Sequence, residues 1–239
     1  MAHKKSRHLS RIAAPKSWPI KRKQNKWISR PDPGAQRLAT GMPLAVFLTE
    51  ILGYTRNKAE VKKVLNQKLV FVNGKIIKEP NFFVGLFDTM RILKYNKLYR
   101  VLLNQRGKLM LTEIPSSEEN IIPLRVEGKT TIKGGKVQVN LSNGWNFITD
   151  KDVYKVTDVV LFDSKERKPS KHLKMEKGNL VYVIGGTHSG KVSEIKDFVH
   201  EGMLRKKKFV VAKHNEEKLK IPIKDVFVIG VDKPEIQLQ

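Results

Sequence analysis

The chain reads as a multidomain α+β protein: a basic N-terminal arm, a small helix–helix–hairpin domain, a β-rich middle domain and a small C-terminal antiparallel β-barrel. Three observations predict this. Positive charge is concentrated near the N-terminus, and apolar residues recur with helical spacing between Leu44 and Leu65. From residue 98 onward they fall instead into short runs separated by Gly, Asn and Ser. The expected boundaries are 1–41, 42–97, 98–172 and 173–239.

Composition limits the function. The 239 residues carry 47 Lys and Arg against 23 Asp and Glu, a net charge of +24, with 40% hydrophobic residues. That apolar content suffices for packed cores. A soluble chain so basic repels itself unless a polyanion neutralises it, so nucleic acid is the first partner to consider and an acidic membrane surface the second. With no cysteine, disulfides, thiolate zinc sites and cysteine nucleophiles are excluded. The six histidines never fall at i, i+4 spacing, so no local metal motif exists and no cofactor is expected. No apolar run approaches the roughly 20 residues of a membrane span. The N-terminus lacks the apolar core of a secretory signal. A cytosolic protein without membrane association is the expectation.

In the arm, Lys4, Lys5, Arg7, Arg11, Lys16, Lys21, Arg22, Lys23, Lys26, Arg30 and Arg37 face the single acid Asp32. Prolines at 15, 19, 31 and 33 prevent a long helix, and no apolar periodicity replaces one. Either the segment is a solvated disordered tail, or it is an arm that orders on RNA. Trp18 and Trp27, interleaved with cations, favour the second reading: such rings stack on bases while Lys and Arg take phosphates. On that view the arm is dispensable for folding of the rest.

In residues 42–97, Leu44, Phe47, Leu48, Ile51 and Leu52 form one buried helical face that Gly53 ends. Thr55 is positioned to cap a second helix, "RNKAEVKKVLNQK", with Val61, Val64 and Leu65 on one side and Arg56, Lys62 and Lys63 around the other. Asn73-Gly74 between two apolar runs signals a tight hairpin, and a turn at Gly85 leads to another strand. This order, with "VFVNGK" behind a basic second helix, resembles the RNA-binding domain named after bacterial small-subunit ribosomal protein four. The resemblance implies an RNA-facing surface made of Arg56, Lys58, Lys62, Lys63, Lys68, Asn73 and Lys75.

The middle domain offers "YRVLL", "KLMLTEI", "NIIPLRVE", "KTTIK", "KVQVNL" and "WNFIT" as separate strands, with Gly128 between the third and the fourth. Alternation puts Val137, Val139 and Leu141 on one face. Nothing here groups catalytic residue types, and Asp150, Asp152 and Asp158 read as turn residues and solvated partners of cations. "SKERKPSKH", 164–172, reads as a polar link.

Runs at 180–184, 209–212, 219–223 and 226–229, with a further candidate from Lys191 to Asp197, suggest five short strands and a small barrel. Between the first two runs, "GGTHSGKV" satisfies most of a phosphate-loop pattern, but Val192 stands where that pattern needs a hydroxyl. "KVSEIKDFV" is ambiguous between helix and strand. Too little chain follows Lys191 for an alternating parallel sheet, so no nucleotide substrate is expected. The stretch "GNLVYVIGGTHSGKVSEI" is similar to the KOW motif, which opens an SH3-like barrel. There Gly178, Gly185, Gly186 and Gly190 would allow positive φ and close approach. Thr187, His188 and Lys191 would face RNA phosphates, and Arg205, Lys206, Lys207 and Lys208 would add a basic loop.

Taken together, "KKSRHLSRIAAPKSWPIKRKQNKWISRPDPG", "VFVNGK", the glycine loop and "VFVIG" make the whole chain resemble the e-type family of small-subunit ribosomal protein four from archaea and eukaryotes. The resemblance implies a structural, non-enzymatic constituent of the small ribosomal subunit. It would bind 16S-type rRNA, touch neighbouring small-subunit proteins and not homo-oligomerise. Two rivals remain: an RNA-modifying enzyme, for which the 66 residues after the module are short, and a KOW-type transcription elongation factor, which leaves the arm without a purpose.

Overall fold

The computed structural model describes residues 8–34, 36–201, 207–214 and 217–238. The candidates Lys4, Lys5, Arg7, Arg205 and Lys206 lie outside them, as does the side chain of Lys207. Among the described residues the chain is mostly β-strand with two α-helices, and it divides into two compact units. The first comprises Met1–Leu102 with Lys108–Pro115, the second Leu103–Gly107 with Ser116–Gln239.

The first unit begins with β1 (Leu9–Ser10) paired to β2 (Trp27–Ile28), followed by β3 (Gly41–Pro43). Helix α1 (Leu44–Val46) runs directly into a wider turn over Phe47–Ile51, where Leu52 N–H donates to the Phe47 carbonyl at 3.0 Å. That i→i+5 bond is π-type, so the helix is looser than its apolar spacing implies. Leu44, Phe47 and Leu48 are buried as expected, and Gly53 at φ +65 ends the helix.

Helix α2 (Lys58–Asn66) is capped by Asn57 rather than Thr55. Asn57 Oδ1 accepts from Glu60 N–H at 2.9 Å and Glu60 Oε2 accepts from Arg56 N–H at 2.8 Å. This variant of the capping box, in which Glu60 reaches the residue before the cap, satisfies two N–H groups, while Thr55 is buried two residues upstream of the cap. Val61 and Leu65 are the residues α2 buries. Then come β4 (Val70–Val72), β5 (Lys75–Ile76), β6 (Phe83–Gly85), β7 (Thr89–Ile92), β8 (Lys97–Leu103) and β9 (Leu109–Glu113). Asn73 at φ +50 and Gly74 at φ +75 make the β4–β5 turn the type I′ hairpin that the pair signals. The sheet order is β5-β4-β7-β8-β9, with β3 and β6 paired apart from it.

In the second unit β10 (Ile121–Thr131), β11 (Val137–Leu141), β12 (Asn146–Thr149), β13 (Val159–Asp163) and β14 (Lys168–Leu173) form one antiparallel sheet in the order β12-β11-β10-β13-β14. Gly128 is not a break between strands. The register shifts between Val126 and Gly128, a bulge within one long strand that pairs with β13 before it and β11 after it. Residues 164–172 are not a link either. Asp163 Oδ1 accepts from the N–H groups of Lys165 (2.8 Å) and Glu166 (3.1 Å), turning the chain into edge strand β14. Its charged side chains suit an edge and hide the strand from hydropathy.

The remaining strands are β15 (Leu180–Val183), β16 (Val192–Glu201), β17 (Lys207–His214), β18 (Glu217–Pro222) and β19 (Val226–Gly230), ordered β18-β17-β16-β15-β19. "KVSEIKDFV" is therefore strand, with Ser193 and Ile195 buried at a period of two. Val181, Val183, Ile195, Val210, Ala212, Val226 and Val228 supply the core.

Candidate nucleic-acid interface

The site begins with α2. Its apolar stripe fixes which side faces the core, so Lys58, Lys62 and Lys63 are turned outward, and Arg56, Lys68 and Lys75 beside the helix are exposed too. Arg56, Lys58, Lys62, Lys63 and Lys68 have no ion-pair partner among the described residues. Cations so placed keep their hydration and their charge for an incoming polyanion. Asn73 departs from this group. Its Nδ2 donates to Asp88 Oδ1 at 2.9 Å and its Oδ1 accepts from Thr89 N–H at 2.9 Å, so the amide fastens the β4–β5 turn to β7 and the residue before it. Asp88, buried, also accepts from Gly85 N–H at 2.7 Å, which ties the turn into the same network.

The described part of the arm is packed, and several of its candidate residues face inward. Trp18 is 1% exposed and donates its Nε1–H to the Leu38 carbonyl at 3.3 Å, so neither ring face is open to a base. The Arg22 guanidinium donates to four carbonyls, those of Arg11, Ile12, Ala14 and Pro15, at 2.7 to 3.3 Å. Arg11 is buried, donating to the Lys21 carbonyl at 3.1 Å and pairing with Glu50 at 2.7 Å. The physical reason is that an irregular segment leaves its carbonyls without a ladder, and the guanidinium's fan of donors gathers them. Pattern searches miss this because it has no period. Arg11, Arg22 and Trp18 thus stabilise the arm. Lys16, Lys21, Lys23, Lys26, Arg30 and Arg37 remain exposed or half-exposed. Trp27, 52% exposed, has the Lys26 ammonium 5.0 Å from its ring and the His8 ring 5.4 Å away.

The glycine loop is closed on itself. Gly190 N–H donates to the Val183 carbonyl at 2.8 Å, Lys191 N–H to the His188 carbonyl at 3.2 Å, and Ser189 Oγ to the Gly186 carbonyl at 2.7 Å. Two of the loop's N–H donors, those of Gly190 and Lys191, are spent, and β16 rather than a helix follows, so no helix N-terminus points at an anion. Gly186 and Gly190 hold φ near +80, as the turn requires. At Gly190 an added Cβ would also lie 2.5 Å from the Asn104 carbonyl oxygen. Gly185 has no positive φ; it is glycine because a Cβ there would meet the Asp225 carboxylate at 2.7 Å. Thr187 is exposed, His188 and Lys191 half-buried, and Lys208 exposed.

Three features were not legible in the sequence. Asp158 is buried, not a solvated turn residue: it accepts from His172 Nε2 at 2.7 Å, Lys155 N–H at 3.0 Å and Met175 N–H at 3.1 Å. Asp150 and Asp152 do pair with surface cations, Lys136 and Lys129. Tyr182 places its hydroxyl on both backbone groups of Leu103, donating to the carbonyl at 2.8 Å and accepting from the N–H at 2.9 Å. Burial pushes it up to about 12, so it stays neutral and keeps both bonds. Tyr54 meets Tyr95 and Tyr99, more than 40 residues on, in one cluster.

Comparison with known proteins gives this arrangement a relative for each part of it. An RS4NT (NUC023) domain model matches residues 5–37, an S4 domain model 42–89 and the model of ribosomal family S4e 95–169. The small ribosomal subunit protein eS4 of Methanosphaera stadtmanae is 40% identical over all of this chain and 98% of its own length. That of Methanocella arvoryzae is 38% identical over 96% of this chain and 97% of its own. The crystal structure of the 30S ribosomal protein S4e from Thermoplasma acidophilum superposes with a TM-score of 0.70 at 26% identity, covering 84% of this chain and 99% of that one. Neither the RNA-modifying enzyme nor the elongation factor has support in these matches. With the arm, the basic-helix module and the β-rich segment each accounted for, the chain belongs to the S4e family of small-subunit ribosomal proteins.

Proposed function

We propose that the chain holds small-subunit rRNA through two outward-facing sets of cations, one on α2 and its flanks, the other on the folded arm. As a family member it is a structural constituent of the small ribosomal subunit and not an enzyme. The observation that carries the proposed mechanism is the set Arg56, Lys58, Lys62, Lys63 and Lys68, exposed around one short helix and without ion-pair partners among the described residues. Neutralising phosphates with these groups releases condensed counterions, which supplies affinity and a steep salt dependence. Lys16, Lys21, Lys23 and Lys26 add a second set, and the exposed Trp27 a ring for stacking.

The same reading keeps four regions: an arm at 1–41, an RNA-binding domain at 42–97, a β-rich domain at 98–172 and a KOW-type SH3-like barrel at 173–239. The five-stranded order β18-β17-β16-β15-β19 supports the last of these. In that barrel Thr187, His188, Lys191 and Lys208 face RNA backbone rather than a nucleotide. Neighbouring small-subunit proteins complete its surroundings, in the cytoplasm, without homo-oligomerisation.

Sedimentation tests the assignment. The native protein should comigrate with small ribosomal subunits at low salt, and the purified chain should bind a small-subunit rRNA transcript with log K falling linearly against log salt. Failure to comigrate, or a binding constant indifferent to salt, would overturn the reading.

A further inference from the structure

We propose that Tyr95 is a stacking platform for an unpaired rRNA base, held rigid by two further tyrosines. The proposal rests on the rRNA-binding reading above and adds a contact that phosphate neutralisation does not supply. Tyr95 lies in a single helical turn, Leu93–Tyr95, between β7 and β8, and Asn96 at φ +49 closes the turn with its N–H on the Leu93 carbonyl at 3.1 Å. Its ring is stacked on Tyr54 with centroids 4.1 Å apart and planes inclined by 25°. Tyr54 in turn shares a 2.9 Å hydrogen bond between its hydroxyl and that of Tyr99, which is 5% exposed. Burial and the Tyr54 contact raise the Tyr99 hydroxyl well above its ordinary range, so the bond persists at neutral pH.

A tyrosine that only filled space would be covered. Tyr95 is instead 42% exposed, with Leu93 beside it 41% exposed. Cations lie close to the pair. The Lys94 ammonium lies 5.6 Å from the Tyr95 ring centroid, Arg56 follows Tyr54 by two residues, and the nearby acid Glu113 is engaged by Lys97. A ring whose back is supported by a second ring loses little entropy when a third is added, and the flexible Lys94 side chain, whose ammonium lies over the Tyr95 ring, would swing aside to the phosphate of the same nucleotide. Aromatic stacking accepts any base, because every base has a π-face. An unpaired residue in a loop or bulge of rRNA therefore fits the platform, whereas a base within an A-form helix has its faces occupied.

The test uses the full chain and a small-subunit rRNA transcript, with filter binding measured across a salt series. Tyr95→Ala and Tyr95→Leu should each weaken binding about tenfold, within the range for loss of one base–aromatic stack, and leave the salt slope unchanged. Tyr95→Phe should bind within about twofold of the parent. Wild-type affinity for Tyr95→Leu would overturn the proposal, because an apolar side chain would then serve as well as a π-face. A reduced salt slope for Tyr95→Ala would overturn it too, pointing to lost phosphate contacts. Were the parent chain itself not to bind the transcript, the rRNA-binding reading would fall first and this one with it. Tyr95→Phe and Tyr95→Leu keep the surface covered, so the comparison survives if Tyr95→Ala unfolds.

Discussion

The arm over residues 8–34 and helix α2 are both crowded with Lys and Arg, yet the structure treats them differently. On α2 one apolar stripe decides everything: Val61 and Leu65 go in, and Lys58, Lys62 and Lys63 go out. The arm has no stripe, and there reach to fixed acceptors decides, since Arg30 stays exposed with the lysines. Arg11 and Arg22 turn inward to collect carbonyls and a carboxylate, while Lys16, Lys21, Lys23 and Lys26 stay in solvent. The guanidinium's planar, divergent donors suit several fixed acceptors at once, and the ammonium's strong hydration keeps it outside. A count of cations is therefore not a count of phosphate contacts.

The two tryptophans of the arm give the largest test of this difference. Trp18→Ala removes a fully buried indole and should cost about 3–5 kcal/mol of stability, read as a lower denaturant midpoint. Trp27→Ala, at an exposed position, should leave that midpoint within about 0.5 kcal/mol of the parent. It follows that removing residues 2–30 destabilises the rest, contrary to the view of the arm as an appendage. If Trp18→Ala unfolds with the parent's midpoint, the arm is not part of the core and the comparison collapses.

A smaller effect is expected at α2, and in another observable. Replacing Lys62 and Lys63 together by Ala touches no buried atom, so stability should stay within about 0.5 kcal/mol. The rRNA affinity should fall, and the slope of log K against log salt should shrink by about 1.5 for two lost phosphate contacts. A slope equal to the parent's would mean that these lysines form only a solvated face.

Much of this was legible beforehand, and the limits have physical causes. Asn73-Gly74 predicts its hairpin because only a type I′ turn suits the pair. The second helix shows in the sequence because Val61, Val64 and Leu65 share a face. The C-terminal strands show as apolar runs. What escaped was non-periodic or long-range. Arg22 reaches carbonyls 7 to 11 residues away in a segment without regular structure. Edge strand β14 carries charges where a central strand would carry valines. Asn73 looks like a polar turn residue, and only the fold brings Asp88 and Thr89 within reach of its amide. The tyrosine cluster joins residues 45 apart. Among the proposed contacts, exposure separates Lys62 and Lys63, still available to RNA, from Arg11 and Trp18, which are not.

The smallest effect belongs to the glycine loop, and it bears on the same distinction between cations that are spent and cations that are free. Lys191 is half-buried, with its own N–H on the His188 carbonyl. Its side chain is one candidate phosphate contact among many, so Lys191→Ala should lower rRNA affinity by less than about tenfold and reduce the salt slope by about 0.7. Folding should be unaffected, since the loop is held by backbone bonds and by the space its glycines leave. Equilibrium dialysis against ATP with magnesium should find no stoichiometric binding by the parent chain. The reason lies in the donors: a phosphate loop works by presenting unpaired N–H groups at the start of a helix, and here those of Gly190 and Lys191 already meet carbonyls ahead of a strand. Binding of ATP at one equivalent would require that loop to open and release both bonds, and would restore the nucleotide reading that Val192 argues against.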